Sequence, residues 1–318
     1  MNERRLQWWT VIVFAMMMVL QVPTWAAAQT TFQRIVVFGD SLSDPGNLFA
    51  LEKINITPPY DTLGPLLIPD DVYARGGHHL SNGPTWIEQY AQTIGLAADT
   101  RPAFQDFGVK ATNYAVSGAR AHDDGINVNM GDQVNKFLNT FSGKLPADAL
   151  YVIEFGSNDI RDILAGGDLP TIFSGAFNTI GSSIASLYYA GARKFLICNT
   201  PDFSLTPAML QFPADVRASA KGVSMGYNQG LETLVVGPAA ANLPGIEIVR
   251  LDFFTLLNNI VAAPALVNLR VIDQPCITPG VPPYTCKDPG QYMFWDGAHP
   301  TKAGHAIMAH AAETVLAE

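Results

Sequence analysis

Five residues from four separate parts of the chain have the types that acyl transfer needs. These are a nucleophile, a base, a group that orients the base, and donors for an oxyanion. Ser41 is the nucleophile candidate, set after Phe38-Gly39-Asp40 at the end of the first apolar run, Arg34-Ile35-Val36-Val37-Phe38. A serine on a turn at the carboxyl end of a parallel strand is where α/β hydrolytic enzymes place their nucleophile. Asp296 stands three residues before His299, a spacing that lets a carboxylate fold back onto imidazole Nδ1–H and leaves Nε2 for the serine. Gly118, in Val116-Ser117-Gly118-Ala119, lets a backbone N–H come close to a substrate oxygen. Asn158, in Gly156-Ser157-Asn158-Asp159, offers a side-chain N–H. With the Ser41 N–H they would make a three-donor oxyanion hole. Each piece also has a plainer reading. Gly-Asp-Ser and Gly-Ser-Asn-Asp are good turns, Gly118 allows close packing, and Asp-x-x-His before a helix can cap it.

The elements that must position these residues alternate along the chain. Strand patterns fall at Arg34–Phe38, Ala111–Ala115, Leu150–Phe155, Lys194–Cys198 and Glu247–Leu251. Helical spacing covers Val134 to Phe141, Phe173 to Tyr188 and Val216 to Leu234. An Ala-rich closing helix is predicted from Lys302 to Ala317. Such alternation predicts an α/β fold, about five parallel strands between two helical layers, with every strand's carboxyl end on one edge. Four of the five candidate residues follow a predicted strand or precede the last helix closely, and Asp296 lies just upstream of His299. The Pro/Gly-rich stretch Thr57–Gly77 is expected to be a long surface insertion near that edge.

At this point the sequence resembles the GDSL, or SGNH, esterases and lipases. The resemblance rests on Phe38-Gly39-Asp40-Ser41 with Leu42-Ser43-Asp44-Pro45-Gly46-Asn47, then Asn113-Tyr114-Ala115-Val116-Ser117-Gly118-Ala119. It continues through Gly156-Ser157-Asn158-Asp159 and Asp296-Gly297-Ala298-His299-Pro300, in the family's order, with Ser81-Asn82-Gly83-Pro84-Thr85-Trp86 as a further match. It implies Ser41 as nucleophile, His299 as base, Asp296 as its partner, and Gly118 and Asn158 in the oxyanion hole. It also implies a flavodoxin-like three-layer αβα sandwich. The Gly-x-Ser-x-Gly elbow of the α/β-hydrolases is missing around Ser41, which argues against that fold. The expected function is an esterase acting on short-chain acyl esters or on lysophospholipid and other lipid esters. The alternatives on the same site are a lipid acyltransferase or a carbohydrate acetylesterase, and outside catalysis an inactive binding module.

Residues 1–28 have the form of a cleavable export signal. Arg4-Arg5 precedes an apolar stretch from Trp8 to Val22, and Ala26-Ala27-Ala28 fits a small-x-small cleavage site. Residues 29–318 are then expected to form one catalytic domain, periplasmic or secreted. A net charge of −9 excludes a nucleic-acid partner, which would need a basic footprint. The expected partner is a small-molecule or lipid ester, with transient contact to a membrane surface. Cys276 and Cys286 flank a Pro-rich loop and are expected to pair in an oxidising compartment. That loop is expected to be a stapled surface loop, with the alternative that it restrains the Asp296–His299 segment. Cys198, in an apolar strand pattern, is expected to be a buried free thiol. No Cys/His spacing resembles a zinc site, and no cofactor is implied. His78, His79 and His122 are expected to be surface-loop histidines. His305 and His310 are expected to be structural or solvated. Asp44 and Asn47 are expected to fix the turn after Ser41, and Asp159 to cap the turn that aims Asn158.

Overall fold

A computed structural model describes residues 32–105, 110–142, 145–146 and 148–317. The export signal therefore lies outside the described residues. The chain folds around a parallel four-stranded sheet: β1 (Arg34–Gly39), β2 (Ala149–Glu154), β3 (Lys194–Cys198) and β4 (Glu247–Leu251), neighbours in that order. The register pairs Val36 with Tyr151, Val152 with Leu196 and Leu196 with Val249.

The period-two side-chain alternation of the strands builds two cores. Val36, Phe38, Tyr151 and Ile153 face one layer, with Phe137, Ile180, Ile184 and Tyr227 from the helices at 130–140, 169–189 and 214–230. Ile35, Val37, Leu150 and Val152 face the other, with Trp86, Phe253 and Met308 from the helices at 86–93, 253–262 and 302–316. Apolar residues on both faces of β1 and β2 therefore produce the three-layer αβα sandwich. The long helix at 169–189 starts where Asp168 accepts from Thr171 N–H, with Pro170 in its first turn. The helix from Ala214 runs into a π-helical stretch at 231–236 and continues to Asn242. Pro238 explains the stretch: it cannot donate to the carbonyl four residues back, and its ring pushes that turn open.

Where a fifth strand was expected, residues 111–116 run extended beside β1 with bridge pairing at Asn113 alone. Val37 N–H donates to Thr112 O, Tyr114 N–H to Val37 O and Val116 N–H to Gly39 O. The segment's outer side is taken partly by backbone, Thr112 N–H donating to Asp99 O and Ala103 N–H to Asn113 O, and partly by side chains. The Asn47 amide donates to the carbonyls of Asn113 and Ala115, and Asn113 Oδ1 accepts from Ala115 N–H. Polar side chains thus finish an edge that regular pairing would leave open. Counting this segment, the order is that of flavodoxin-like folds, with the switch point at β1 and β2. A small parallel pair, β5 (Val271–Pro275) with β6 (Tyr292–Phe294), has no counterpart in the expectation. It feeds the chain into Asp296.

Candidate active site

The turn after β1 is built by two aspartates. Asp40 Oδ1 accepts from Leu42 N–H, and its carbonyl accepts from Ser43 N–H, so Ser41 sits on a tight turn at the sheet edge. Asp44 is buried and accepts from the N–H groups of Gly46, Asn47 and Leu48. Its Oδ2 also accepts from Ser117 N–H and Oγ, both at 2.8 Å. Asp44 and Asn47 therefore do more than fix their own turn. They tie it to the segment carrying Gly118.

His299 Nε2 lies 2.9 Å from Ser41 Oγ. Its Nδ1 lies 3.0 and 2.9 Å from the two Asp296 oxygens. The ionised carboxylate only accepts, so Nδ1 carries the proton and Nε2 is free to accept from the serine. Asp296 is fully buried, and its burial is offset by donors. Ala298 and His299 N–H groups donate to Oδ1 at 2.9 and 2.8 Å, and Tyr73 Oη donates to Oδ2 at 3.0 Å. The spacing of three residues works because the Asp296 carboxylate holds its own turn.

Gly118 has φ +82, a left-handed conformation that disfavours side chains. Arg120 donates to the Gly118 carbonyl at 2.5 Å while forking onto Asp162 at 2.9 Å through both nitrogens. That bond fixes the peptide after Gly118, while the Ser117 N–H bond to Asp44 holds the segment just before it. The Ser41 and Gly118 N–H groups have no hydrogen-bond acceptor among the described residues. Asn158 sits in the first turn of the helix at 157–164 and donates to Ala119 O at 2.9 Å. Asp159 accepts from Ala121 N–H and His122 N–H, and faces His122 Nδ1 at 2.7 Å. It fastens the Asn158 helix to the Gly118 segment, a longer reach than the cap expected of it. Ser41, Gly118, Asn158 and His299 all line one cleft of about 270 Å³.

Several expectations are corrected. His79 is buried rather than on the surface, its Nδ1 2.7 Å from Gly76 O and its Nε2 2.8 Å from Glu88. His122 is partly buried against Asp159. His305 and His310 are as expected: His305 is buried, its Nδ1 without a hydrogen-bond partner among the described residues, and His310 is exposed. The stretch at 57–77 is not merely a surface insertion. Tyr60, Val72 and Tyr73 are buried in a core of their own with Leu80, Trp295 and Ile277. It also delivers Tyr73 to Asp296, and the Leu67 carbonyl to Gly297 N–H. Sequence reasoning missed Tyr73, which sits in no periodic element or motif, and Arg120, which directly follows the Gly118-Ala119 motif and whose partner Asp162 is 42 residues away.

Cys276 and Cys286 form a disulfide, and Cys198 is a buried free thiol. The stapled loop is hydrogen-bonded into the site's scaffold. Cys276 N–H donates toward the Phe294 and Trp295 carbonyls and Ile277 N–H to Trp295 O, directly before Asp296. Among the described residues no cluster of His, Cys, Asp and Glu could hold a metal ion. No described helix is long and apolar enough to cross a membrane.

The GDSL-like Lipase/Acylhydrolase family model matches residues 35–312. The GDSL esterase/lipase LIP-4 of Arabidopsis thaliana is 24% identical, over 94% of this chain and 90% of that protein. The thermolabile hemolysin of Vibrio parahaemolyticus is 26% identical, over 87% of this chain and 62% of that protein. The chain belongs to the GDSL-like lipase/acylhydrolase family and is a carboxylic ester hydrolase.

Proposed function

We propose that Ser41, His299 and Asp296 form the catalytic triad of an exported esterase. The observation that carries this reading is the chain of contacts from Ser41 Oγ to His299 Nε2 and from Nδ1 to Asp296, all within 3.0 Å. Ser41 Oγ attacks the ester carbonyl carbon, and its proton passes to His299 Nε2. The carbonyl oxygen gains negative charge facing the N–H groups of Ser41 and Gly118 and the Asn158 amide. The tetrahedral intermediate collapses, the imidazolium protonates the departing alkoxide, and the alcohol leaves. Water then repeats the sequence on the acyl-serine, with His299 again as base. Asp296 holds the imidazole in the productive tautomer and offsets the charge it acquires.

The surroundings of Ser41 divide the ester. On one side the cleft is polar, lined by Glu52, Asp70, Asp71, Arg120 and Asn127. Adjoining it is a smaller, mostly apolar recess lined by Leu42, Ile68, Pro201, Phe203 and Ala298, with Arg161 on the wall it shares with the polar cleft. A polar alcohol fits the first and an acyl group the second. Export is supported by the form of residues 1–28 and by the Cys276–Cys286 disulfide, since such bonds persist in oxidising compartments.

Ser41→Ala is expected to abolish hydrolysis of p-nitrophenyl acetate and labelling by a fluorophosphonate probe. Asn158→Ala should lower kcat by about 10²–10³ with the fold retained, the usual cost of one oxyanion donor. Undiminished turnover in Ser41→Ala would overturn the assignment.

A further inference from the structure

The apolar recess beside Ser41 does not end where the catalytic residues end. Leu42, Pro201, Thr206 and Ala298 line it, and the same four line a second apolar chamber behind it. The two spaces share those four walls. The far walls of the second chamber come from three different elements. Phe253, Leu257 and Ile260 project from the helix at 253–262, Met293 from β6 and Met308 from the closing helix. No charged side chain lines it. Thr206 is its one polar lining residue, and the Thr206 hydroxyl donates to the Phe203 carbonyl while accepting from Met209 N–H. The chamber's one polar side chain is therefore already partnered, a lining that suits hydrocarbon better than water.

We propose that this chamber binds the distal part of the substrate's acyl chain, which enters from Ser41 past Leu42 and Ala298. The proposal rests on Ser41 being the nucleophile and adds the acyl preference of that site. Leu42 is next to the nucleophile and Ala298 next to the base, so a chain leaving the acyl carbon on this side meets both within its first few carbons. Ala298 presents only a methyl group, which leaves room to pass. The recess and the chamber measure about 50 and 40 Å³. Each accommodates roughly three or four water-sized groups, so the pair suits an acyl chain of about six to ten carbons. Met293 and Met308 in its wall are unbranched and adaptable, able to close around chains of different length. The adjoining polar cleft, which also reaches Ser41, leaves the alcohol in a polar setting. The enzyme so described prefers medium-chain acyl esters of polar alcohols.

The test is a series of p-nitrophenyl esters from acetate to palmitate, with kcat/KM measured on the whole mature enzyme. Each methylene buried is worth about fourfold in kcat/KM when fully desolvated. With partial burial, octanoate should exceed acetate by about 100-fold in the wild type, and the gain should cease beyond about ten carbons. Leu256 lies at the partly buried rim of the chamber. Leu256→Trp should lower the octanoate-to-acetate ratio by at least ~10-fold, and Leu257→Ala should move the optimum to longer chains. If Leu256→Trp loses its far-UV circular dichroism, Met308→Phe blocks the same chamber from another helix and decides the matter. A flat chain-length profile in the wild type, or a ratio that neither blocking variant changes, overturns the chamber assignment while leaving Ser41 as nucleophile. Failure to turn over any ester in a Ser41-dependent manner would overturn the triad reading instead.

Discussion

Among the described residues, Tyr73 and His299 are the two side chains that hydrogen-bond to Asp296. Burial, and then the Asp296 charge beside it, holds the Tyr73 hydroxyl well above the usual phenol range, so it stays a donor at any working pH. Its bond draws charge from the Asp296 carboxylate, which would otherwise bear wholly on His299. Tyr73→Phe removes one oxygen and keeps the ring between Tyr60 and Trp295. Hydrogen bonds to charged groups are worth about 1.5–3 kcal/mol, so a loss of about 1–3 kcal/mol in urea unfolding is expected. With one donor fewer, the Asp296 carboxylate is held less firmly against His299 Nδ1, so kcat should fall along with stability. A kcat at the wild-type level would show that Tyr73 only packs. The motifs at Ser41, Gly118, Asn158 and His299 were legible because each is contiguous and abuts a strong apolar run or the final helix. Tyr73 was not, because its partner is 223 residues away and its own segment has no period.

The strands were legible for a related reason. β1 and β2 are buried on both faces, so their sequences are nearly continuous apolar runs. Residues 111–116 carry a similar pattern and do lie beside β1. Their side-chain bonds to Asn47 and within Asn113, which decide that they are an edge segment and not a strand, are long-range and polar. The Thr57–Gly77 insertion was the least legible element, since prolines and glycines predict where a chain turns but not what it then touches. Gly297 shows what it touches. A Cβ there would stand 1.9 Å from the Leu66 carbonyl oxygen, a contact that forces backbone to move. Gly297→Ala should therefore push the insertion off the Asp296 loop, breaking the Gly297 N–H to Leu67 O bond and drawing Tyr73 away. Overpacking of this kind costs about 1–3 kcal/mol, and kcat should fall with it. The expected result is a lower Tm together with a kcat reduced at least ~10-fold. Gly297→Ala with wild-type Tm and turnover would mean that the insertion is not seated on this loop.

At the scale of the molecule, buried titratable groups set how stability changes with pH. Burial pushes Asp40 up to about 6, against its bond from Leu42 N–H and the nearby His299. Its folded form keeps a proton that the unfolded chain releases above about pH 4, so its contribution falls between about pH 4 and 6. His305 runs the other way. Burial, and then the neighbouring His79 and His299, lower it to about 3. The unfolded chain binds that proton below its ordinary value of 6.5, so stability rises with pH up to that value and is flat above it. The two oppose each other in mild acid. Above pH 6.5 the shifts agree. Burial disfavours the charged form of His79, yet its Glu88 contact prevails and raises it. The Asp159 contact raises His122 first, with burial opposing. Both contribute stability that is complete below 6.5 and lost as pH rises through the folded values. Glu154, raised well above its usual range by burial and then by Asp40, loses stability in the same direction. Asp124, Asp252 and Glu232 are held low, so they are ionised in both states here and add no slope. The Tm should therefore be highest near pH 6 and decline steadily to pH 9 at constant ionic strength. His122→Asn, which removes the ring that titrates against Asp159, should flatten part of that decline between pH 6.5 and 8. A Tm that is level or climbing from pH 6.5 to 9 would mean that these buried groups do not carry the protons the folded structure assigns to them.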